Sequence, residues 1–556
     1  MTLKVHVVNT ASAVEVPAGS TLLELAELLS PELGFKPYCA NVNNETVNLR
    51  YPLYTPKTVE FMPLDSKVGV YTYIRSLSML LYKAVCDLYP GTRLRIEHAT
   101  TKGIFCRLFN GQEVSEDALK ALEQRMRELI DADLPYKRHE KLTTEVIELF
   151  RKQDLMDKVR LLETGDRLYK AYYSLGGVYD SYYGCLAPST GYIQPATLKL
   201  YKNGFIMSPF PKDENLQLSK EEDFVQEQLY TAFTDYQRIN HIIGVRNAGE
   251  LNLAAEKGYS AEIINVAEAL HAKFTTRIAD EIARRHKEGG ARIVLVAGPS
   301  SSGKTTFTKR LAVQLFANEI RPQMISLDDY FVNRVDTPLD DKGDYDYESL
   351  YALDLKRFNA DLTALIEGKT IELPYYNFAK GEREFHGKTV TLSDNTVLLI
   401  EGIHALNPEL TASIPRELKY LIYASALTTI AIDDHNWIST WDNRLLRRII
   451  RDNQYRGVSP AETIRRWPSV VRGEQKWIYP FHGQADAMFN SSLLYELAVI
   501  KPLAERLLRK VPRNVPEYVV ASRLLTFLSY FRAIEPDALP FTSLLREFVG
   551  GSTFKY

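Results

Sequence analysis

Gly298-Pro299-Ser300-Ser301-Ser302-Gly303-Lys304-Thr305-Thr306 follows the apolar run Ile293-Val294-Leu295-Val296-Ala297 and opens a helix-forming stretch that runs to Ala317. Strand, glycine-rich turn and helix together form the setting in which backbone N–H groups converge on phosphate oxygens. The helix N-terminus adds partial positive charge. Lys304 is placed to reach terminal phosphates, and the Thr305 hydroxyl to ligate Mg²⁺. Gly298, Ser300, Ser301, Ser302, Gly303 and Thr306 supply the rest of the cradle. A nucleotide is the ligand this stretch predicts.

Outward from the cradle, short apolar runs at Met324–Leu327, Val397–Ile400 and Tyr420–Tyr423 alternate with helical segments. That pattern predicts a parallel sheet covered on both faces. Phosphoryl transfer to an alcohol needs a phosphate cradle, metal ligands, a carboxylate to take the hydroxyl proton, and cations on the developing charge. The run at Met324 ends in Asp328-Asp329-Tyr330-Phe331, and the run at Val397 ends in Glu401. Acids at strand C-termini lie beside a P-loop in such sheets. Arg444, Arg447, Arg448 and Arg451 fall at helical spacing, with Arg456 following. Four arginines without a lysine favour planar phosphate recognition, and the segment reads as a mobile lid over nucleotide.

The chain has 556 residues, too many for one core, so three or four domains are expected. A net charge of −2 gives no global basic field for nucleic acid. The cysteines Cys39, Cys86, Cys106 and Cys185 are scattered and read as free thiols in a reducing compartment. No apolar run reaches membrane-spanning length, and Met1-Thr2-Leu3-Lys4-Val5 reads as a strand start and not a signal peptide. A cytoplasmic protein without membrane partners is the expectation.

Residues 1–65 combine two strands, the Val16-Pro17-Ala18-Gly19-Ser20-Thr21-Leu22-Leu23-Glu24-Leu25-Ala26 stretch with its capped helix, and further strands. This resembles the TGS domain, a ubiquitin-like fold at the N-terminus of threonyl-tRNA synthetases. Residues 66–230 resemble the editing domain that follows it there: Leu80 to Ile96, then two helices within Leu119–Leu149, then Asp180 to Gly191. In that family an HxxxH pair and a CxxxH pair hold a zinc ion. The matching positions here are Arg75, Met79, Tyr182 and Leu186, none of which ligates zinc. The resemblance implies a retained scaffold without editing chemistry. Residues 231–290 read as a helical connector, with a turn-like polar cluster at Asn247–Asn252, and residues 511–556 as a helical tail.

Within 291–510 an ordered set completes a second resemblance: the P-loop, Ser326-Leu327-Asp328-Asp329-Tyr330-Phe331, Tyr345-Asp346, Pro374-Tyr375-Tyr376-Asn377-Phe378, Glu401-Gly402-Ile403 and Arg448 to Arg456-Gly457. It is similar to the uridine kinase branch of the uridine kinase and phosphoribulokinase family. The resemblance implies ATP and Mg²⁺ as cofactors and the 5′-hydroxyl of a ribonucleoside, uridine or cytidine first, as acceptor. It implies Asp328 as general base with Asp329 in reserve, and Thr305, Glu401 and Asp328 on Mg²⁺. Asp346 is matched to the ribose hydroxyls, Tyr376 to the base, Arg448 to the substrate, and Arg451 and Arg456 to ATP phosphates. Two positions depart. Pyrimidine kinases carry a histidine where this chain has Gly381, with His386 a candidate replacement, and a second lid arginine where it has Val458. A sugar-phosphate kinase is the rival enzyme reading. A nucleotide-switched RNA- or ribosome-binding regulator, contacting RNA through the TGS region, is the rival from another class. Self-association is compatible with either.

Overall fold

The computed structural model describes residues 2–100, 103–109, 114–210, 234–340, 343–378 and 380–555. β1 (Thr2–Val7) alternates outward and inward residues, burying Leu3, Val5 and Val7. With β2 (Ser12–Pro17), β3 (Cys39–Val42), β4 (Glu45–Val47) and β5 (Thr58–Met62) it forms a sheet of order β2-β1-β5-β3-β4, β1 and β5 running parallel. The helix Leu22–Leu28 starts at a capping box: the Thr21 hydroxyl accepts from the Glu24 N–H, and the Glu24 carboxylate from the Thr21 N–H. Leu22 and Leu25 seat it on the sheet, which gives the ubiquitin-like arrangement.

The helix Lys67–Leu88 starts the next unit and is buried along most of its length. Around it lie β6 (Arg93–Thr100), β7 (Gly103–Phe109), β8 (Lys137–Leu142), β9 (Tyr169–Leu175), β10 (Val178–Asp180), β11 (Thr197–Tyr201) and β12 (Gly204–Ser208). They form two sheets, β11-β12-β7-β6 and β10-β9-β8. The two helices expected within Leu119–Leu149 are Glu116–Asp131 and Thr143–Lys152. Met79, Tyr182 and Leu186 meet in one apolar cluster with Tyr136, Tyr173 and Leu175. Arg75 donates to the Cys185 carbonyl at 3.1 Å. Three of the four positions matched to zinc ligands are thus packed as core.

The remaining strands are β13 (Ile293–Ala297), β14 (Arg321–Ser326), β15 (Ile371–Asn377), β16 (Glu382–Val390), β17 (Thr396–Glu401), β18 (Lys419–Ser425) and β19 (Ala487–Asn490). Five of them form the expected parallel sheet, β14-β17-β13-β18-β19, while β15 and β16 stand apart as a hairpin. β13 and all of β17 but Glu401 are buried, as a sheet covered on both faces requires.

The helix Ser260–Lys287, read as a connector, buries Ile278 and Ile282 in the same core as Phe307 and Leu311 of the P-loop helix (Lys304–Ala317). Leu524, Phe527, Leu544 and Phe548 of the C-terminal stretch share that core. The polar cluster at Asn247 is a helix start and not a turn: its side chain accepts from the Glu250 N–H at 2.9 Å. Among the described residues, no helix is long and apolar enough to cross a membrane.

One segment ties the two halves together. Residues 426–439, between β18 and the arginine helix (Thr440–Arg456), reach into the editing-like unit. Lys158 lies 2.8 Å from both Asp180 and Asp433. His435 Nδ1 meets Asp180 at 2.7 Å, and the Asp434 N–H donates to Asp157 at 2.7 Å. Lys158, Asp180, Asp433 and His435 are all buried, and Trp437 packs on that unit's core.

Candidate active site

A Cβ on Gly298 would fall 2.0 Å from the Ala424 carbonyl oxygen, so only glycine lets the turn pass β18. Gly303 takes the left-handed φ of +78° that starts the P-loop helix. The buried hydroxyls of Ser301 and Ser302 have no partner among the described residues. Buried donors left open in a glycine-rich turn fit phosphate oxygens.

Lys304 donates to the Pro299 carbonyl at 3.1 Å, and burial pulls its ammonium below the usual lysine range against the attraction of Glu401 and Asp328. The Thr305 hydroxyl donates to Glu401 at 3.1 Å. Burial pushes the Glu401 carboxyl up to about 7, Lys304 opposing and the Asp328 charge adding to the rise. The Thr305 hydroxyl and the Glu401 and Asp328 carboxylates are oxygen donors of the class a hard divalent cation takes, and phosphate oxygens would complete its shell.

The arginine helix divides by role. Arg444 and Arg447 are 0% exposed and do not face a ligand. Arg444 pairs with Glu474 and donates to the Ser300 carbonyl at 2.9 Å, while Glu474 accepts the Ser300 N–H at 3.0 Å. Arg447 pairs with Glu496 and donates to the Ser491 carbonyl at 3.1 Å. The expectation that four arginines share one phosphate-facing lid is therefore corrected: these two brace the P-loop from behind. Local spacing hides this because their acids come from elements far along the chain. Arg448 donates to the Ser300 hydroxyl at 2.8 Å and to Asp452 at 3.1 Å. Arg451 and Arg456 also lean on Asp452, at 3.2 and 3.4 Å. Three cations on one carboxylate leave positive charge in excess. Gly457 ends the helix in the left-handed region, and the Val458 N–H returns to the Asp452 carbonyl at 3.1 Å.

Opposite, Asp328 and Asp329 follow β14 in a single turn of 3₁₀ helix, with the Ser326 hydroxyl accepting the Asp328 N–H at 3.3 Å. They diverge. Asp328 acts electrostatically on Lys304 and Glu401, whereas Asp329 accepts the Tyr376 N–H at 3.3 Å. Tyr376 is buried between Phe331 and Phe378, ring centres 5.5 and 5.0 Å away. The Arg456 guanidinium lies 5.7 Å over Phe378, bringing the arginine helix to the hairpin. Asp346 accepts the Glu348 N–H at 3.2 Å.

His386 does not replace the missing histidine. It is exposed, 5.2 Å from the Tyr375 ring and 3.0 Å from Glu384. Successive residues of a strand face opposite sides, so Tyr375 and His386 lie away from buried Tyr376. Arg334 fills the space at Gly381: a Cβ there would come within 2.7 Å of its Nε.

Besides the partners of Arg444 and Arg447, two further acids escape sequence reasoning. Glu348 packs where Gly473 has no side chain, its Cβ 2.3 Å from the one glycine lacks. Burial pushes its carboxyl up to about 7, Arg448 opposing, with Glu474, Lys304 and Asp328 also acting on it. The only signal was its place two residues after Asp346. Glu547, in the C-terminal stretch, accepts from the Thr306 hydroxyl at 2.6 Å, and nothing in its local sequence marks it.

The profile of the "Phosphoribulokinase / Uridine kinase family" matches residues 293–495. The uridine kinase of Deinococcus deserti is 30% identical over 181 residues, 32% of this chain and 77% of that protein. The threonine–tRNA ligase of Desulforamulus reducens is 30% identical over 187 residues in the N-terminal region, 34% of this chain. The match spans 29% of that ligase's length. A solved structure described as a possible uridine kinase from Bacillus stearothermophilus aligns with 38% of this chain and 98% of its own, at 20% identity and a TM-score of 0.25.

Proposed function

Because the chain belongs to the phosphoribulokinase / uridine kinase family, we propose that it transfers the γ-phosphoryl group of ATP to the 5′-hydroxyl of a ribonucleoside, uridine or cytidine first. One observation carries the reading. Adjacent Asp328 and Asp329 join the P-loop to an aromatic cluster, one acting on Lys304 and the other bonded to the backbone of Tyr376. A flat ring beside Tyr376 would bring its sugar hydroxyl toward Asp328.

In this reading the acceptor oxygen attacks the γ-phosphorus as Asp328 takes its proton, and the bond to the bridging oxygen of ADP breaks. Lys304, Arg451 and Arg456 balance charge on the transferring group. Arg448 and Asp346 orient the acceptor, Asp346 by accepting hydrogen bonds from two ribose hydroxyls. Mg²⁺, held by Thr305, Glu401 and Asp328, would neutralise phosphate charge. Arg444 and Arg447 act indirectly, by fixing the Ser300 and Ser301 backbone. Residues 1–65 and 66–230 serve as TGS and editing-like scaffolds for the kinase at 291–510.

A panel of nucleosides and sugar phosphates, scored by ATP consumption with the full chain, tests the proposal. Lys304→Ala should abolish transfer. Asp328→Asn should lower turnover about 10²- to 10⁴-fold while ATP binding persists. Consumption with sugar phosphates alone, or full turnover in Asp328→Asn, would sink it.

A further inference from the structure

Beside the hairpin that carries Tyr376 stands a cation that the function above leaves unused. Arg334 is tied to the hairpin twice: its N–H donates to the Gly381 carbonyl at 2.8 Å, and Nη2 donates to the Phe378 carbonyl at 2.8 Å. Gly381, at a φ of +77°, makes room for it, since any Cβ there would strike Nε, Cζ and Cβ of Arg334. The guanidinium is therefore held in place beside Phe378 and is close enough to Tyr376 to act on its phenol. Among the described residues it pairs with no carboxylate. Phe331, Tyr376 and Phe378 thus form one aromatic cluster, with Arg334 bonded to the Phe378 carbonyl and the Arg456 guanidinium over the Phe378 ring.

Resting on the nucleoside kinase reading, we propose that Arg334 reads the exocyclic group at position 4 of a pyrimidine, or position 6 of a purine, and so selects oxo-bearing rings over amino-bearing ones. A guanidinium offers only donors and stays charged, whereas an imidazole can present a donor or an acceptor. The 4-oxo group of uridine accepts from a guanidinium. The 4-amino group of cytidine donates, so the two donors oppose each other at that position. The same rule orders purines: O6 and N7 of inosine accept together, while the 6-amino group of adenosine does not.

The test is kcat/KM for uridine, cytidine, inosine and adenosine with the full-length protein and ATP. Wild type should favour uridine over cytidine, and inosine over adenosine if purines fit, by about tenfold or more. Arg334→Gln, whose amide both donates and accepts, should bring the uridine-to-cytidine ratio close to one, chiefly through KM. Arg334→Lys, still donor-only, should keep the preference even where overall activity falls. A wild-type preference for cytidine overturns the inference. So does a ratio unchanged in Arg334→Gln while nucleosides still turn over, since a structural arginine would depress both substrates alike. Turnover of no nucleoside at all, with ATP still bound, rejects the kinase reading and this inference with it.

Discussion

Glu348 carries a testable consequence at the level of one side chain. Its folded-state carboxyl sits near 7, above the ordinary carboxylate range, because one carboxylate oxygen is enclosed without a hydrogen-bond partner among the described residues and the charge is poorly solvated. The folded state therefore holds this proton more tightly than the unfolded chain. The contribution to stability is fully present below the ordinary range and is lost as pH rises toward 7. Melting of the ligand-free protein should shift downward between pH 5 and 7.5, and Glu348→Gln should flatten that slope. An unchanged slope would place the titration elsewhere. The sequence made Lys304, Thr305, Asp328 and Glu401 legible because each closes or follows an apolar strand or a glycine turn. Glu348, Glu474 and Arg334 were not legible. What makes them matter is proximity across the fold: Gly473 makes room for Glu348, Gly381 for Arg334, and Glu474 meets Ser300 and Arg444 from a distant helix.

At the level of elements, the arginine helix joins the phosphate cradle to the core. Arg447 and Glu496 are a fully buried pair, so removing one partner strands a charge. Arg447→Met should cost about 3–5 kcal/mol of stability, measurable by denaturant unfolding. Arg447→Met combined with Glu496→Leu should recover part of the loss, because the unpaired charge goes with it. Helical spacing correctly placed the arginines on one helix. It could not distinguish braces from ligand groups, because Glu474 and Glu496 lie 30 and 49 residues away. The helix Ser260–Lys287 gives the same lesson. Its amphipathic pattern was visible, but which core received its apolar face was not.

For the whole molecule, the segment 426–439 makes the N-terminal units structural partners of the kinase. Removing residues 1–210 would expose Asp433, Asp434, His435 and Trp437 and leave the start of the arginine helix unsupported. The remainder should show a lowered melting temperature and reduced turnover, and should not behave as an unregulated kinase. A shortened chain with full activity and unchanged melting would refute this. Lys158→Met, which removes the ammonium shared by Asp180 and Asp433 and leaves only His435 on Asp180, should lower the melting temperature of both halves in one transition.

The same contacts set an order of assembly during synthesis. Lys158 and Asp180 leave the ribosome long before the residues that complete their pocket: Asp180 and its partner His435 are 255 positions apart. Until β18 and the segment after it have been made, the nascent editing-like unit has a charged hole in its flank that only water can fill. Contacts of such sequence separation form late and slowly. The flank of the editing-like unit around Lys158 and Asp180 thus closes only after the segment 426–439 has been made, whereas the sheet of residues 2–62 has a core of its own and need not wait.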